Sequence, residues 1–114
     1  MPYIALNTTQ KLTAQQKEKV KAELGRLITI IPTKTEAGLM VDFSESRTMY
    51  IGGKEITGAF VELRLFHQSE MEAKKKFVEE VFKMLSKELG ISTDDIKLNV
   101  MELDTWGTGG ILRT

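Results

Sequence analysis

Pro2 carries the first chemistry to weigh in this sequence, which opens MPYIALNTT. Removal of an initiator Met before a small residue such as Pro is the usual expectation, and it exposes a secondary amine at the start of a candidate strand. An α-amino group titrates near ~7.7–8.0, and an apolar pocket or a nearby cation lowers that value. A neutral amine at physiological pH can take a proton from a carbon beside a carbonyl and return it elsewhere, which is general acid–base catalysis. Proline in second position is common, so by itself it assigns nothing. With Met1 attached, the Pro2 nitrogen is an amide without basicity. Arg47 and Arg64 could each bind a carboxylate, although Arg64, in mid-strand, reads better as an ion-pair partner of Glu62 or Asp42. His67 has no second ligand or orienting group nearby in sequence and reads as structural. Lys74, Lys75 and Lys76, interleaved with Glu70, Glu72 and Glu79, read as a solvated helix face.

Composition narrows the alternatives. The 114 residues fit one domain spanning residues 1–114. Sixteen basic side chains balance sixteen acidic ones, which argues against nucleic acid or an anionic membrane as a partner held by bulk charge. No apolar run approaches the ~18 residues of a membrane helix. The N-terminus lacks the basic and apolar regions of a secretory signal, so a cytoplasmic location is expected. There is no cysteine and one histidine, which removes disulfides and thiol nucleophiles and argues against a zinc site. No metal is expected.

The elements that would position Pro2 follow from periodicity. Residues 2–7 alternate as a strand with Ile4 and Leu6 on one face. Thr13 with Gln16 matches a capping box, and Val20, Leu24, Leu27, Ile28 and Ile31 fall at helical spacing until Pro32. That predicts a helix of about 18 residues, roughly 27 Å long. Residues 38–43 form a second strand. Residues 45–57 are a connector in which Gly52 and Gly53 make a turn. A third strand follows at 59–66, with Ala59, Val61, Leu63 and Leu65 facing one way. Ser69 with Glu72 makes a second capping box, and Ala73, Phe77, Val81, Leu85 and Leu89 form an apolar stripe closed by Gly90. Ile96, Leu98 and Val100 alternate in a fourth strand, and residues 104–114 form a tail of little periodicity.

The order is therefore a βαβ unit given twice, at about residues 2–44 and 59–103, with the tail appended. It predicts an α+β domain of pseudo-twofold design, with parallel pairs joined by right-handed crossovers. Two helices cover only one face of a four-stranded mixed sheet. The other face would display Met40, Asp42, Phe60, Glu62, Arg64, Phe66, Lys97, Asn99 and Met101. A solvated face is one reading of that mixture. Burial against further copies of the chain, with the charges paired near an interface, is the other and the preferred one.

The opening MPYI, the doubled βαβ order, the YIGG turn and the segment GISTDDIKLNV together resemble the tautomerase superfamily, and within it the macrophage migration inhibitory factor group. The resemblance covers about residues 2–103 and rests on order and spacing rather than on one specific motif. It implies a homotrimer whose sheets wrap into a central barrel, and a pocket at each subunit interface with Pro2 as general acid or base. Carried over residue by residue, it implies that Lys34 meets the substrate carboxylate and that the Phe66 backbone N–H holds a substrate oxygen. It further implies that Asn99 enters the pocket from a neighbouring subunit. Lys97 stands where the cytokine-like members have a pocket tyrosine, exchanging a phenol donor for a cation that favours a dianionic substrate or a lower amine pKa. Trp106, in the Asp-x-Trp-Gly pattern of the tail, resembles a tail aromatic that lines the pocket in bacterial members.

The expected function is a cofactor-free keto–enol tautomerase, phenylpyruvate tautomerase-like, acting on a small 2-oxo acid or its enol. Two alternatives stay open. One is a dehalogenase or decarboxylase, in which Asp42 or Glu62 would activate water. The other is a non-catalytic, cytokine-like trimeric binding protein.

Overall fold

A computed structural model describes residues Met1–Thr114. In chain order the elements are β1 (Pro2–Thr8), α1 (Ala14–Leu27), β2 (Met40–Ser44), β3 (Met49–Ile51), β4 (Lys54–Ile56), β5 (Ala59–Phe66), α2 (Met71–Leu89), β6 (Ile96–Leu103), β7 (Trp106–Thr108) and β8 (Ile111–Arg113). The four long strands form one sheet in the order β2-β1-β5-β6. Strands β1 and β2 run parallel, as do β5 and β6, while β1 and β5 are antiparallel. Each parallel pair is joined by one helix, so the doubled βαβ order of the sequence is the topology of the fold.

Period-two alternation decides which face is buried. In β5, Ala59, Val61, Leu63 and Leu65 are buried, whereas Phe60, Glu62, Arg64 and Phe66 are half-buried. Ile4 and Leu6 of β1 join the same core, where they meet Val20, Leu24 and Leu27 of α1 and Phe77, Val81 and Leu85 of α2. Both helices therefore cover one face of the sheet, and each fully buried large side chain contributes about 1.5–3 kcal/mol. The open face carries a polar chain instead. Tyr3 donates its hydroxyl to Asp42 at 2.7 Å, and Asn7 donates to Glu62 at 3.0 Å and accepts from Arg47 at 3.1 Å.

Local capping sets the helix ends, with one departure from expectation. Thr13 and Gln16 form the capping box of α1. The α-helix ends at Leu27, and Ile28–Ile30 tighten into a 3-10 turn, so the helix has 14 residues. Pro32 cannot donate to a continuing ladder, and the chain leaves by the tighter i→i+3 bond from Ile31 to Ile28. The second capping box does not form. Helix α2 starts after Glu70, with no side-chain cap, and the Ser69 backbone N–H donates at 2.6 Å to Glu102 of β6. A distant carboxylate outcompetes the local one there. Gly90 closes α2 in a left-handed conformation.

Both segments expected to be irregular are hairpins. The connector folds as β3 and β4 around Gly52 and Gly53, whose φ values of 59° and 78° suit the two-residue turn that joins antiparallel strands. The tail folds as β7 and β8. Strand β2 begins at Met40 rather than 38, because residues Glu36–Gly38 form a 3-10 turn. No helix is long and apolar enough to cross a membrane.

Candidate active site

The start of β1 lies at one end of the sheet. Pro2 pairs with Leu65 of β5, and Tyr3 lies between Met40 of β2 and Arg64 of β5. Pro2 is buried. Beside it opens a pocket of about 410 Å³, bounded by Met1, Tyr3, Met40, Arg64, Leu103 and Trp106. The register explains the assembly: β6 ends at Leu103, opposite Phe66, and the chain then turns into β7, which brings Trp106 back to the same end.

Lys34 approaches from the segment after α1. Its Nζ donates to the backbone carbonyl of Phe66 at 3.0 Å, and its own N–H bonds to the Ile31 carbonyl at 3.1 Å. The two residues flanking this contact have left-handed backbones: Thr33 precedes Lys34 with φ 70°, and His67 follows Phe66 with φ 69°. A β-branched residue at positive φ is strained, and such strain tends to gather where a site requires it. The Met1 amino group lies near Lys34. Burial first, and then the positive charge and hydrogen bond of Lys34, hold its pKa below the ordinary value for an amino terminus. A terminal amine at this end of β1 is thus biased toward its neutral, basic form.

The aromatic wall is compact. The Phe66 ring stacks on His67 at 3.8 Å between centroids and stands tilted to Trp106 at 6.2 Å. No cluster of three or more His, Asp or Glu side chains is placed to hold a metal.

Four of the six site residues expected from the sequence, Pro2, Lys34, Phe66 and Trp106, come together at this end. Lys97 and Asn99 do not. Lys97 pairs with Phe60 and Asn99 with Glu62, which places Lys97 six residues from Leu103 along β6. At ~3.3 Å per residue that is about 20 Å from the pocket. Both are exposed. Lys97 borders a separate depression against Tyr50 and Ile51 of β3.

One pocket residue, Tyr3, escapes the sequence reading. Arg64, weighed there as a carboxylate binder or as an ion-pair partner of Glu62 or Asp42, pairs with Glu62 at 3.5 Å, while Asp42 is engaged by the Tyr3 hydroxyl. Arg64 also lies over the Tyr3 ring, 5.3 Å from its centroid. The signal that would have located it is the β1–β5 register, which sets Arg64 directly across from the residue after Pro2.

No protein-family model matches the chain by sequence, and no curated protein does. Comparison of structures is decisive. The chain superposes on Leishmania major MIF2 with a TM-score of 0.92 at 19% identity, covering 99% of this chain and 97% of that one. The chain has the tautomerase/MIF fold. Within that fold it is also similar to a fused 4-OT solved as an asymmetric trimer (TM-score 0.85, 13% identity, covering 96% of this chain and 94% of that one). A third relative in structure is Pt0534, solved after inactivation by 2-oxo-3-pentynoate, with a TM-score of 0.84 at 15% identity, again covering 96% and 94% of the two chains. What carries over to this chain at such identities is the path of the backbone, with the four-stranded mixed sheet and its two helices.

Proposed function

We propose that this chain, once Met1 is removed, is a cofactor-free keto–enol tautomerase that acts on a small 2-oxo acid as a homotrimer. The observation that carries the reading is the buried start of β1, where Pro2 opens onto a pocket beside the Lys34 ammonium. Loss of Met1 turns the Pro2 nitrogen into a secondary amine. Burial and the Lys34 charge act on any amine at that end of the strand, favouring the neutral base. In ketonisation the amine accepts the enol O–H proton as the C=O bond forms. Carbon three then takes a proton from the resulting ammonium. One proton moves, nothing is oxidised, and the amine is regenerated. Lys34 holds the substrate carboxylate. The Phe66 backbone N–H steadies the developing charge on oxygen, and Trp106 supplies an apolar wall.

The trimer has its own support. Lys97 and Asn99 lie about 20 and 13 Å along β6 from the pocket of their own chain, so a pocket that they help to form belongs to a neighbouring copy. The fused 4-OT of the same fold was solved as a trimer. The inactivator of Pt0534 is itself a 2-oxo acid, which supports that substrate class for pockets of this fold.

The test follows enol loss by ultraviolet absorbance with enolised phenylpyruvate and a panel of aliphatic 2-oxo acids. It compares protein whose intact mass shows Met1 removed with a Met1-retaining control. Fast decay with the first and none with the second is the expected result. Equal, near-background rates across the panel would overturn the proposal and leave a non-catalytic trimer as the better reading.

A further inference from the structure

A second polar pocket lies at the far end of the sheet from Pro2. It measures about 420 Å³ and is lined by Thr9, Gln10, Arg47, Glu55, Ile56 and Thr57. Thr9 stands seven residues beyond Pro2, so at ~3.3 Å per residue this pocket is some 23 Å from the start of β1. Ile56 is its one apolar lining residue. The frame around it is closely bonded. The Thr9 hydroxyl accepts from the Gly58 N–H at 3.0 Å, and the Gln10 side chain donates to the Leu89 carbonyl at 2.9 Å. The N–H groups of Ser46 and Arg47 donate to the carbonyls of Gln10 and Thr8, both at 3.0 Å. Ser46 holds a left-handed backbone with φ 55°. That conformation is uncommon outside glycine and persists where its surroundings enforce it.

Arg47 is thereby set in place with donors to spare. Its Nη1 donates to Asn7 at 3.1 Å and to Ser44 at 3.2 Å, which leaves Nε and Nη2 without a protein acceptor. Those two nitrogens form the side-on fork that matches a carboxylate. Glu55 lines the same pocket, yet it forms no ion pair with Arg47 or with any lysine. A guanidinium and a carboxylate that share a polar pocket and stay apart suit a ligand carrying both charges. We infer that this pocket binds a small α-amino acid, its carboxylate on the Arg47 fork and its ammonium on Glu55. The Thr9 and Thr57 hydroxyls favour a polar side chain on that ligand. Both charges are exposed, so affinity is modest and selectivity comes from engaging the two together. The site does not rest on the tautomerase reading, because it shares no residue with the Pro2 pocket.

The experiment titrates the full chain with L-serine and follows amide shifts by NMR. Two blocked probes accompany it: N-acetyl-L-serine, which lacks the ammonium, and L-serinamide, which lacks the carboxylate. Saturable shifts are expected at the amides of Thr9, Gln10 and Thr57. L-Serine should bind at least about tenfold tighter than either blocked form, the scale of one charge-assisted contact. The two charges are then told apart by variants. Arg47→Gln should bring L-serine down to the level of L-serinamide, and Glu55→Gln should bring it down to that of N-acetyl-L-serine. Equal affinity for the three probes in wild type overturns the inference, as does a preference that survives both substitutions. Shifts confined to the Pro2 end also overturn it, because serine would then be entering the other pocket. If Arg47→Gln does not fold, Arg47→Lys takes its place and should keep only part of the carboxylate preference. Glu55, exposed on a short hairpin strand, supplies the independent readout. Enol turnover plays no part in any of these outcomes, so failure of the tautomerase reading would leave this site standing.

Discussion

Lys34 and Phe66, 32 residues apart in sequence, are joined by a 3.0 Å hydrogen bond from the lysine Nζ to the phenylalanine carbonyl. The bond ties the segment after α1 to the end of β5, and both its neighbours, Thr33 and His67, hold left-handed backbones. The contact fixes a cation beside the start of β1. It also leaves the ammonium with donors to spare, since a lysine has three.

Replacing that cation should separate binding from folding. Lys34→Gln is expected to raise KM for a 2-oxo acid by about ten- to a hundredfold, the scale of one lost charge-assisted hydrogen bond. Thermal stability should change little, because the side chain is only half-buried. Steady-state kinetics beside a melting curve checks both. A collapse of the melting temperature would show that Lys34 is mainly a structural tie.

The same substitution reports on the amine. In the Met1-retaining chain the terminal amine is held below its ordinary pKa by burial first and by Lys34 second. Lys34→Gln removes the second cause, so the amine pKa should rise toward its ordinary value without reaching it. An NMR titration of isotopically labelled Met1 measures this directly. In processed protein the rising limb of the kcat/KM profile should move toward higher pH in the variant, because a more basic amine stays protonated longer.

Strain at Thr33 gives an opposing pair of effects. A threonine in the left-handed region costs about 1–2 kcal/mol, while glycine there brings back an entropic cost of roughly 0.5–1 kcal/mol. Thr33→Gly should therefore leave stability unchanged or raise it by up to about 1 kcal/mol in urea unfolding. It should also loosen the segment that aims Lys34 and so raise KM. A clear loss of stability would mean that the threonine makes contacts that outweigh its backbone strain.

The contrast between the two helix starts explains what the sequence could disclose. The Thr13 box is local: its donor and acceptor lie three residues apart, and the pattern was sufficient to find it. Ser69 offers the same pattern, but Glu102, 33 residues away, takes its amide. The pocket divides in the same manner. Alternation placed Pro2 at the head of β1 and Ala59, Val61, Leu63 and Leu65 in the core. That Arg64 lies directly across from Tyr3 depends on a strand register that spacing does not reveal. The two hairpins were hidden because strands of three residues are too short to show a period.

Glu102 predicts a dependence on acid. It accepts from Lys74 at 2.8 Å and from the Ser69 amide. The Lys74 hydrogen bond, the largest cause, holds its carboxyl below the ordinary range. A carboxyl with a lowered folded pKa adds stability above its unfolded value, near ~4.3, and loses it as pH falls through the folded one. Glu102→Gln should cost about 1–3 kcal/mol near neutral pH. The deficit should shrink as pH falls from about 4.3. Denaturant unfolding at pH 7 and at lower pH compares the two proteins. A deficit that stays constant across that range would remove Glu102 from the acid response.

The separation of Lys97 and Asn99 from their own pocket yields a test of assembly by mixing. Pro2→Ala keeps the β6 residues intact but has a primary amine in place of the proline nitrogen. A Lys97→Glu, Asn99→Ala double variant keeps Pro2 intact. Each homotrimer should lose most of its activity, because every pocket lacks one contribution. Refolded together, the two chains form mixed trimers, and some interfaces join an intact Pro2 to an intact β6. Activity should then recover above both parents, while simple mixing without unfolding should restore none. Sedimentation velocity establishes that each sample is trimeric. Recovery would place Lys97 and Asn99 in the pocket of a neighbouring copy. Trimers without recovery would confine catalysis to residues at the β1 end of a single chain, with Lys97 and Asn99 outside it.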